Sequence, residues 1–135
     1  MTPRSTEPAT RRATPAEYRR RLSSVQGWLR PECALLVEKL AREQQVPGNV
    51  AEIGVHQGKF FILLALLRRG EETGVAVDLF EDQASNIDGS GSGDRGAFEA
   101  NLRRFGAQRG VEVRSADSTK AVSYTHLTLP TNREV

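Results

Sequence analysis

The chain has 135 residues, of which 38% are hydrophobic and 27% are charged, which is typical of a folded domain and excludes a disordered polymer. Its net charge of +2 is too small to indicate nucleic-acid binding, and the basic residues are not interleaved with aromatic ones. A single cysteine, Cys33, excludes an internal disulfide framework and favours a reducing compartment such as the cytoplasm.

The chain begins with a polar segment that has almost nothing to bury. Residues 1–14 are rich in threonine, proline and arginine, which predicts a disordered arm. A transit peptide has a similar composition, but Glu7 and Glu17 are atypical of one and no apolar region follows. Thr14 and Pro15 then form a typical helix start.

Two helices are predicted in residues 15–46. The first runs from Pro15 to Leu29, with apolar residues at helical spacing. The second runs from Pro31 to about Gln45, and its predicted apolar stripe consists of Ala34, Leu35, Val37, Leu40 and Ala41. Cys33 is interpreted as a small buried residue, because no histidine or cation beside it in sequence would activate a thiol.

A short strand and a glycine turn follow. Residues 50–55 are mostly apolar and partly β-branched, and Pro47-Gly48 marks their start. Gly54 and Gly58 permit positive φ or a close approach of the backbone to a ligand. A helix is predicted from about Gly58 to Arg69, and its free N–H groups would face a site above the strand. Its apolar run is too short to span a membrane.

A second strand, residues 75–80, carries Asp78, which lies 20 residues beyond Gly58. That is about the distance at which a strand–helix–strand unit places an acidic side chain over a ribose. The glycine-rich residues 81–94 are interpreted as a mobile loop beside the site. A helix from Asp94 to Gln108 and a third strand, residues 111–114, precede an exit loop that contains Asp117 and Ser118.

This alternation predicts an α/β fold, the N-terminal part of a Rossmann-like, doubly wound parallel sheet with about three strands present and the remainder missing. Glu52, Asp78 and Asp117 each fall at or just past the carboxyl end of a predicted strand. Because these ends meet at one edge of a parallel sheet, we expect the three acids to converge there. No internal repeat or second domain is visible.

Residues 47–120 resemble the class I S-adenosylmethionine-dependent methyltransferases. Their first motif is an acidic residue followed by Gly-x-x-x-Gly, which Glu52, Gly54 and Gly58 match position for position. The commonest form of the motif has a glycine where this chain has His56. The wording E-I-G-V-H-Q-G-K followed by D-L-F-E-D-Q is most similar to a bacterial branch that acts on small molecules.

The resemblance implies roles for particular residues. Glu52 and the turn through Gly54, His56 and Gly58 would hold the methionyl part of S-adenosyl-L-methionine. The resemblance also implies that Asp78, followed by Leu79, lies at the ribose, and that Asp117 with Ser118 lies at the adenine. The acceptor would be a small or sugar-like molecule. The residues that contact it follow later strands in such proteins, so no catalytic residue, metal ligand or oligomeric state is specified.

Two other readings share parts of this pattern. An NAD(P)-binding Rossmann oxidoreductase has the same strand–glycine–helix–acid layout, but Glu52 would face its pyrophosphate, and His56 stands where close approach favours glycine. A non-catalytic nucleotide-binding module is the third reading. It predicts that Glu52→Ala leaves biological activity unchanged.

The end of the chain matches a different kind of sequence. Val122 to Thr131 reads as a translation of the transposon-end adapter used to prepare sequencing libraries. We therefore expect residues 121–135 to be a non-native tail and the natural sequence to be interrupted near Ala121. Tyr124 and His126, as candidates for a stacking residue or a metal ligand, carry no functional weight on this interpretation.

Overall fold

The structure is a computed structural model, and it describes residues 10–80 and 94–117. Two helices and a short 3₁₀ turn precede the first strand, and a helix then precedes each of the other two strands. The elements are α1 (Pro15–Arg19), the 3₁₀ turn (Leu22–Ser24), α2 (Pro31–Glu43), β1 (Val50–Ile53), α3 (Lys59–Leu67), β2 (Gly74–Asp78), α4 (Arg95–Arg104) and β3 (Val111–Ser115).

The three strands form a parallel sheet in the order β1-β2-β3. Val50 pairs with Gly74, and Gly74 in turn pairs with Val111, so the strands begin level with one another. The predicted α/β class and its three parallel strands are therefore confirmed. The arrangement is compatible with part of a Rossmann-like fold.

The helices pack on one face of the sheet, which we call the covered face. Residues paired across parallel strands point to the same side, so Val50, Glu52, Ala76 and Asp78 belong to this face. The ring of Phe61 on α3 lies 5.6 Å from the ring of Phe98 on α4, measured between centroids. Both rings are fully buried in one core with Tyr18, Phe80 and Phe105.

The other face, which we call the open face, presents Ala51, Ile53 and Glu112. All three are exposed, and Ile53 has 54% of its surface accessible, although Val77 between the strands is buried. The N–H groups of Val50 and Gly54 donate to carbonyls of the chain segment that contains β2. Those of Ala51 and Ile53 therefore point away from β2. Within the described ranges β1 is thus an edge strand.

Residues 10–14 correct the prediction of a disordered arm for 1–14, of which residues 1–9 lie outside the described part. Arg12 donates hydrogen bonds to the carbonyls of Ala65, Leu66 and Arg68 at the end of α3. The Ala13 N–H donates to Phe105 O at 2.9 Å. These are contacts distant in sequence, so composition alone does not reveal them. The arginine satisfies carbonyls that the end of a helix leaves free.

The predicted helix Pro15–Leu29 is shorter than expected. Thr14 caps α1 as predicted, since its side chain accepts from Glu17 N and the Glu17 side chain accepts in return. The helix ends at Arg19, and the chain then passes through the 3₁₀ turn, which places both Leu22 and Val25 in the core. Ser24 Oγ donates to Arg21 O at 2.6 Å, a local bond that competes with helix continuation.

α2 has the predicted position, but its predicted apolar stripe is only partly buried, with Leu35 and Leu40 exposed. Ala34 and Glu38 are buried, and Glu38 forms an ion pair with Arg19 of α1. The larger residues Leu35, Leu36 and Leu40 are each at least half exposed. Cys33 is also exposed, which corrects its interpretation as a buried residue, because it lies outside the face that contacts α1 and α3.

α3 is the central helix of the covered face. Gly58 precedes it with φ of 93°, and a Cβ at Gly58 would lie only 2.7 Å from Phe98 Cδ2. Glycine is therefore required both by backbone conformation and by space. No helix in the described part of the chain has the length and hydropathy needed to span a membrane.

Candidate functional site

The carboxyl ends of the strands bring the three predicted acids to one edge of the sheet. Glu52 pairs with Ala76, and Asp78 lies two residues further along β2. Asp78 pairs with Ser115, and Asp117 lies two residues past that partner. The Ala116 N–H donates to Asp78 O at 3.0 Å, which ties the exit of β3 to the end of β2. Ser118 lies outside the described residues.

The glycine turn between β1 and α3 has the predicted unusual backbone. Gly54 has φ of 82°, and its N–H donates to Val77 O at 2.7 Å. Among the described residues, no atom outside its immediate chain neighbours lies within 4 Å of the position that a Cβ at Gly54 would occupy. The backbone here is therefore accessible to a ligand from the side that a side chain would otherwise fill.

His56 also has a left-handed conformation, with φ of 55°. A non-glycine residue with such a φ is uncommon and needs support from its surroundings. The support comes from Asp78, whose Oδ2 accepts the His56 N–H at 2.8 Å. A left-handed conformation favours glycine, so the bond to Asp78 is what allows a histidine at this position.

The Asp78 carboxylate connects two loops. Its Oδ1 accepts from Phe80 N at 2.7 Å, and Phe80, like His56, is a non-glycine residue with positive φ, at 51°. Each carboxylate oxygen has a further lone pair after these bonds. Asp78 therefore fixes the backbone around the site and still has acceptor capacity. Leu79 follows it and is half-buried.

Glu52 is the most perturbed acid of the site. Burial and, secondarily, the nearby Asp78 carboxylate raise the pKa of Glu52 to about 7. Its Oε2 is buried and finds no hydrogen-bond partner among the described residues. A buried acceptor without a donor is unfavourable, so this carboxylate is suited to a ligand that brings a donor or a positive charge.

The start of α3 is held from below by the N-terminal helices. Tyr18 of α1 is fully buried, and its hydroxyl donates to Lys59 O at 2.5 Å. Burial raises the pKa of the Tyr18 phenol, so the hydroxyl stays protonated and keeps donating. Asn101 of α4 donates to Gln57 O at 3.0 Å. The turn is thus fixed by contacts from both α1 and α4.

Residues 26–28 lie against the glycine turn, and the sequence did not mark them as part of the site. Gln57 donates to Gln26 Oε1 at 3.2 Å, and Lys59 Nζ donates to Gly27 O at 3.4 Å. The Trp28 ring lies 5.5 Å from the His56 ring. The signal in the sequence was a lone tryptophan directly after a glycine, outside the register of the neighbouring apolar residues.

Comparison of the chain with models of protein families finds no match, and comparison with curated proteins finds none either. The geometry of the strand ends is therefore the basis on which a function can be assigned. Within residues 10–80 and 94–117, no group of three or more His, Cys, Asp or Glu side chains is placed to hold a metal ion.

A separate groove of about 200 Å³ lies at the amino-terminal end of the sheet, between α2 and β1. Leu40, Val50 and Leu67 contribute to its lining, and the Arg69 and Glu72 beside them pair with each other. Among the residues that the structure describes, this groove has no buried, unpartnered polar group comparable to Glu52. The chemistry is therefore concentrated at the carboxyl ends of the strands, where ligands bind in open α/β sheets.

Proposed function

We propose that the chain is the cofactor-binding part of a class I S-adenosyl-L-methionine-dependent methyltransferase that methylates a small or sugar-like acceptor. The observation that carries the proposal is the Glu52 carboxylate, with a buried, unpartnered Oε2 beside Asp78 under the glycine turn. A negative site at this position suits a cationic ligand and opposes a pyrophosphate.

The residues fit the cofactor chemically. S-adenosyl-L-methionine carries an α-ammonium group and a sulfonium, and it supplies an electrophilic methyl group when bound. The α-ammonium can donate to Glu52 Oε2, which otherwise has no partner in the described part. The open space above Gly54 allows the amino-acid portion to approach the backbone closely.

The remaining site residues are assigned to the rest of the cofactor. Asp78 retains acceptor capacity and would take the ribose hydroxyls while it holds His56 in place. Leu79 would pack beside the nucleoside, and Asp117 with Ser118 would lie at the adenine. The contribution of these residues to catalysis is alignment of the methyl group with the acceptor, which lowers the barrier by proximity and orientation.

The doubly wound form of the fold belongs to the same proposal. β1 has an outward-facing edge, and the open face exposes Ile53. In a doubly wound sheet both features would be covered, the edge by a further parallel strand and the face by helices. The residues that bind the methyl acceptor would come from these further strands and helices.

Calorimetric titration of the 135-residue chain with S-adenosylhomocysteine and with NAD tests the proposal. We expect saturable binding of S-adenosylhomocysteine and none of NAD. Glu52→Gln should weaken the affinity by about tenfold to a hundredfold, because it removes a charged, buried acceptor. Glu112→Gln is the matched control, since Glu112 is an exposed acid on the open face.

Binding of NAD without binding of S-adenosylhomocysteine would overturn the proposal in favour of an oxidoreductase. An unchanged affinity in Glu52→Gln would remove the observation on which the assignment depends. An affinity lost equally in Glu112→Gln would point to a general effect of charge rather than to the site.

A further inference from the structure

Trp28 is an exposed indole placed at the rim of the glycine turn. It is 82% exposed, the highest value among the large apolar residues of the described part. The segment that carries it is fixed, because Gln26 is bonded to Gln57 and Gly27 O is bonded to Lys59 Nζ. Its exposure is therefore a property of a held segment rather than of a free end.

The space between this segment and the turn is narrow. A Cβ at Gly27 would lie 3.2 Å from Lys59 Cβ and 3.9 Å from His56 Nδ1. Gly27 has φ of 142°, which a larger residue rarely adopts. Glycine at this position lets the backbone approach the turn closely, and the ring of the next residue, Trp28, lies 5.5 Å from the His56 ring.

His56 connects Trp28 to the acidic site. Its ring lies 5.5 Å from the indole, while its backbone N–H is bonded to Asp78. His56 Nδ1 is buried and has no hydrogen-bond partner among the described residues. His56 is thus in contact with the indole through its ring and with Asp78 through its backbone, and it carries an unpartnered polar atom next to the site.

We propose that Trp28 contacts the ligand and packs its indole face over the positively charged methionyl end of the cofactor, opposite Glu52. The inference rests on the proposed function, because it takes S-adenosyl-L-methionine as the ligand. An indole face attracts a cation, and tryptophan does so more strongly than the other aromatic residues. A cation held between a carboxylate and an indole would be favoured from both sides.

A purely structural role for Trp28 makes a different prediction. If the indole only supports the His56 ring, its replacement should alter folding stability and leave the bound ligand unaffected once the chain is folded. Ring contacts of this kind contribute less at an exposed site than in a buried pair. Ligand affinity and ligand-induced fluorescence separate the two roles.

The test uses the fluorescence of Trp28, which is the single tryptophan of the chain. Addition of S-adenosylhomocysteine to the 135-residue chain should shift its emission to shorter wavelength and protect it from iodide quenching. By calorimetry, Trp28→Ala and Trp28→Leu should weaken S-adenosylhomocysteine binding by about threefold to thirtyfold, and Trp28→Phe should retain most of the affinity. Leu36→Ala, also at an exposed apolar position, is the control and should bind as the wild type does.

The outcomes separate the inference from the function. If the wild type binds and Trp28→Ala binds equally well, with unshifted tryptophan emission, only the inference is wrong. If Trp28→Leu binds as well as Trp28→Phe, the indole acts as apolar cover and the cation contact is wrong. If the folded wild type does not bind S-adenosylhomocysteine, both proposals fail. Far-UV circular dichroism of each variant establishes that it is folded.

Discussion

The two faces of the three-stranded sheet differ sharply in burial, although neighbouring residues of each strand point to opposite faces. On the covered face, Ala76 lies beneath an aromatic layer that includes Phe61 and Phe98, all three fully buried. On the open face, Ile53 of the neighbouring strand β1 has 54% of its surface exposed. Glu52 and Ile53 are consecutive residues of β1, but Glu52 belongs to the covered face and Ile53 to the open face.

The difference shows which face of the sheet carries the buried core and where the candidate site lies relative to it in the described part of the chain. The hydrophobic core cluster lies on the covered face, and Glu52 is carried on that same face, level with the core residue Ala76. Burial by the core raises the pKa of Glu52, so packing and site electrostatics are linked. The open face contributes an edge and apolar surface, which favour association with other chains.

The largest expected effect comes from removing the aromatic layer of the covered face. Phe98→Ala should lower the free energy of unfolding by about 3–5 kcal/mol, because Phe98 is fully buried against Phe61 and Phe80. The ring also fills the space next to Gly58, so the glycine turn should loosen as well. Urea denaturation followed by circular dichroism measures the change. A loss below about 1 kcal/mol would mean that the core is not organised around this ring.

A somewhat smaller effect is expected at the buried end of α3. Arg68 is almost fully buried, and it donates to Ala65 O at 2.8 Å and to Ala107 O at 3.1 Å. Arg68→Met should lower the free energy of unfolding by about 2–3 kcal/mol, because it removes one of the donors to Ala65 O and leaves Ala107 O without its described donor in a buried site. Arg69→Met, at the exposed neighbouring position, should change it by less than about 0.5 kcal/mol. Equal effects at both positions would show that burial of Arg68 is unimportant.

How much of this arrangement could be predicted depends on the range of the contacts involved. The first strand, the glycine turn and the position of Asp78 could be predicted from local signals. These are, respectively, a β-branched run, glycines that permit positive φ, and the length of one strand–helix–strand unit. The capping of α3 by Arg12 joins residues more than fifty positions apart, and composition had assigned that segment to a disordered arm.

The misplaced features have a common physical cause. α1 ends early because Leu22 and Val25 must both reach the core, and helical periodicity does not include that constraint. In α2 the predicted Ala34 is buried together with Glu38, while the larger predicted residues Leu35 and Leu40 stay exposed. Close packing of α2 against α1 selected a small residue and an ion pair, so hydrophobicity alone extended the predicted stripe onto the exposed side.

A moderate effect with a defined sign is expected for Glu52→Gln. The pKa of Glu52 is raised from 4.5 to about 7, so the folded chain binds more protons than the unfolded chain within that window. Stability should therefore fall as the pH rises from about 4.5 to 7, and the variant should lack this decline. At pH 8 we expect Glu52→Gln to be more stable than the wild type by about 1–2 kcal/mol, allowing for partial exposure to solvent.

Thermal melts between pH 4 and pH 8 measure this difference. The stabilities of Glu52→Gln and the wild type should converge at low pH, where Glu52 is protonated in both states. The control Glu112→Gln should act in the opposite direction, because a hydrogen bond from Arg114 lowers the pKa of Glu112. Parallel pH profiles for Glu52→Gln and the wild type would show that Glu52 ionises normally in the folded chain.

The smallest effect on stability is expected on the open face. Ile53→Lys replaces an exposed apolar side chain at the edge strand, so the free energy of unfolding should change by no more than about 0.5 kcal/mol. Aggregation should decrease, because a lysine on an edge strand opposes pairing with another chain. Light scattering during heating measures association, and urea denaturation measures stability. A loss of stability approaching that of Phe98→Ala would mean that Ile53 is buried in solution, since a charge is tolerated at this position only if the face is open to water.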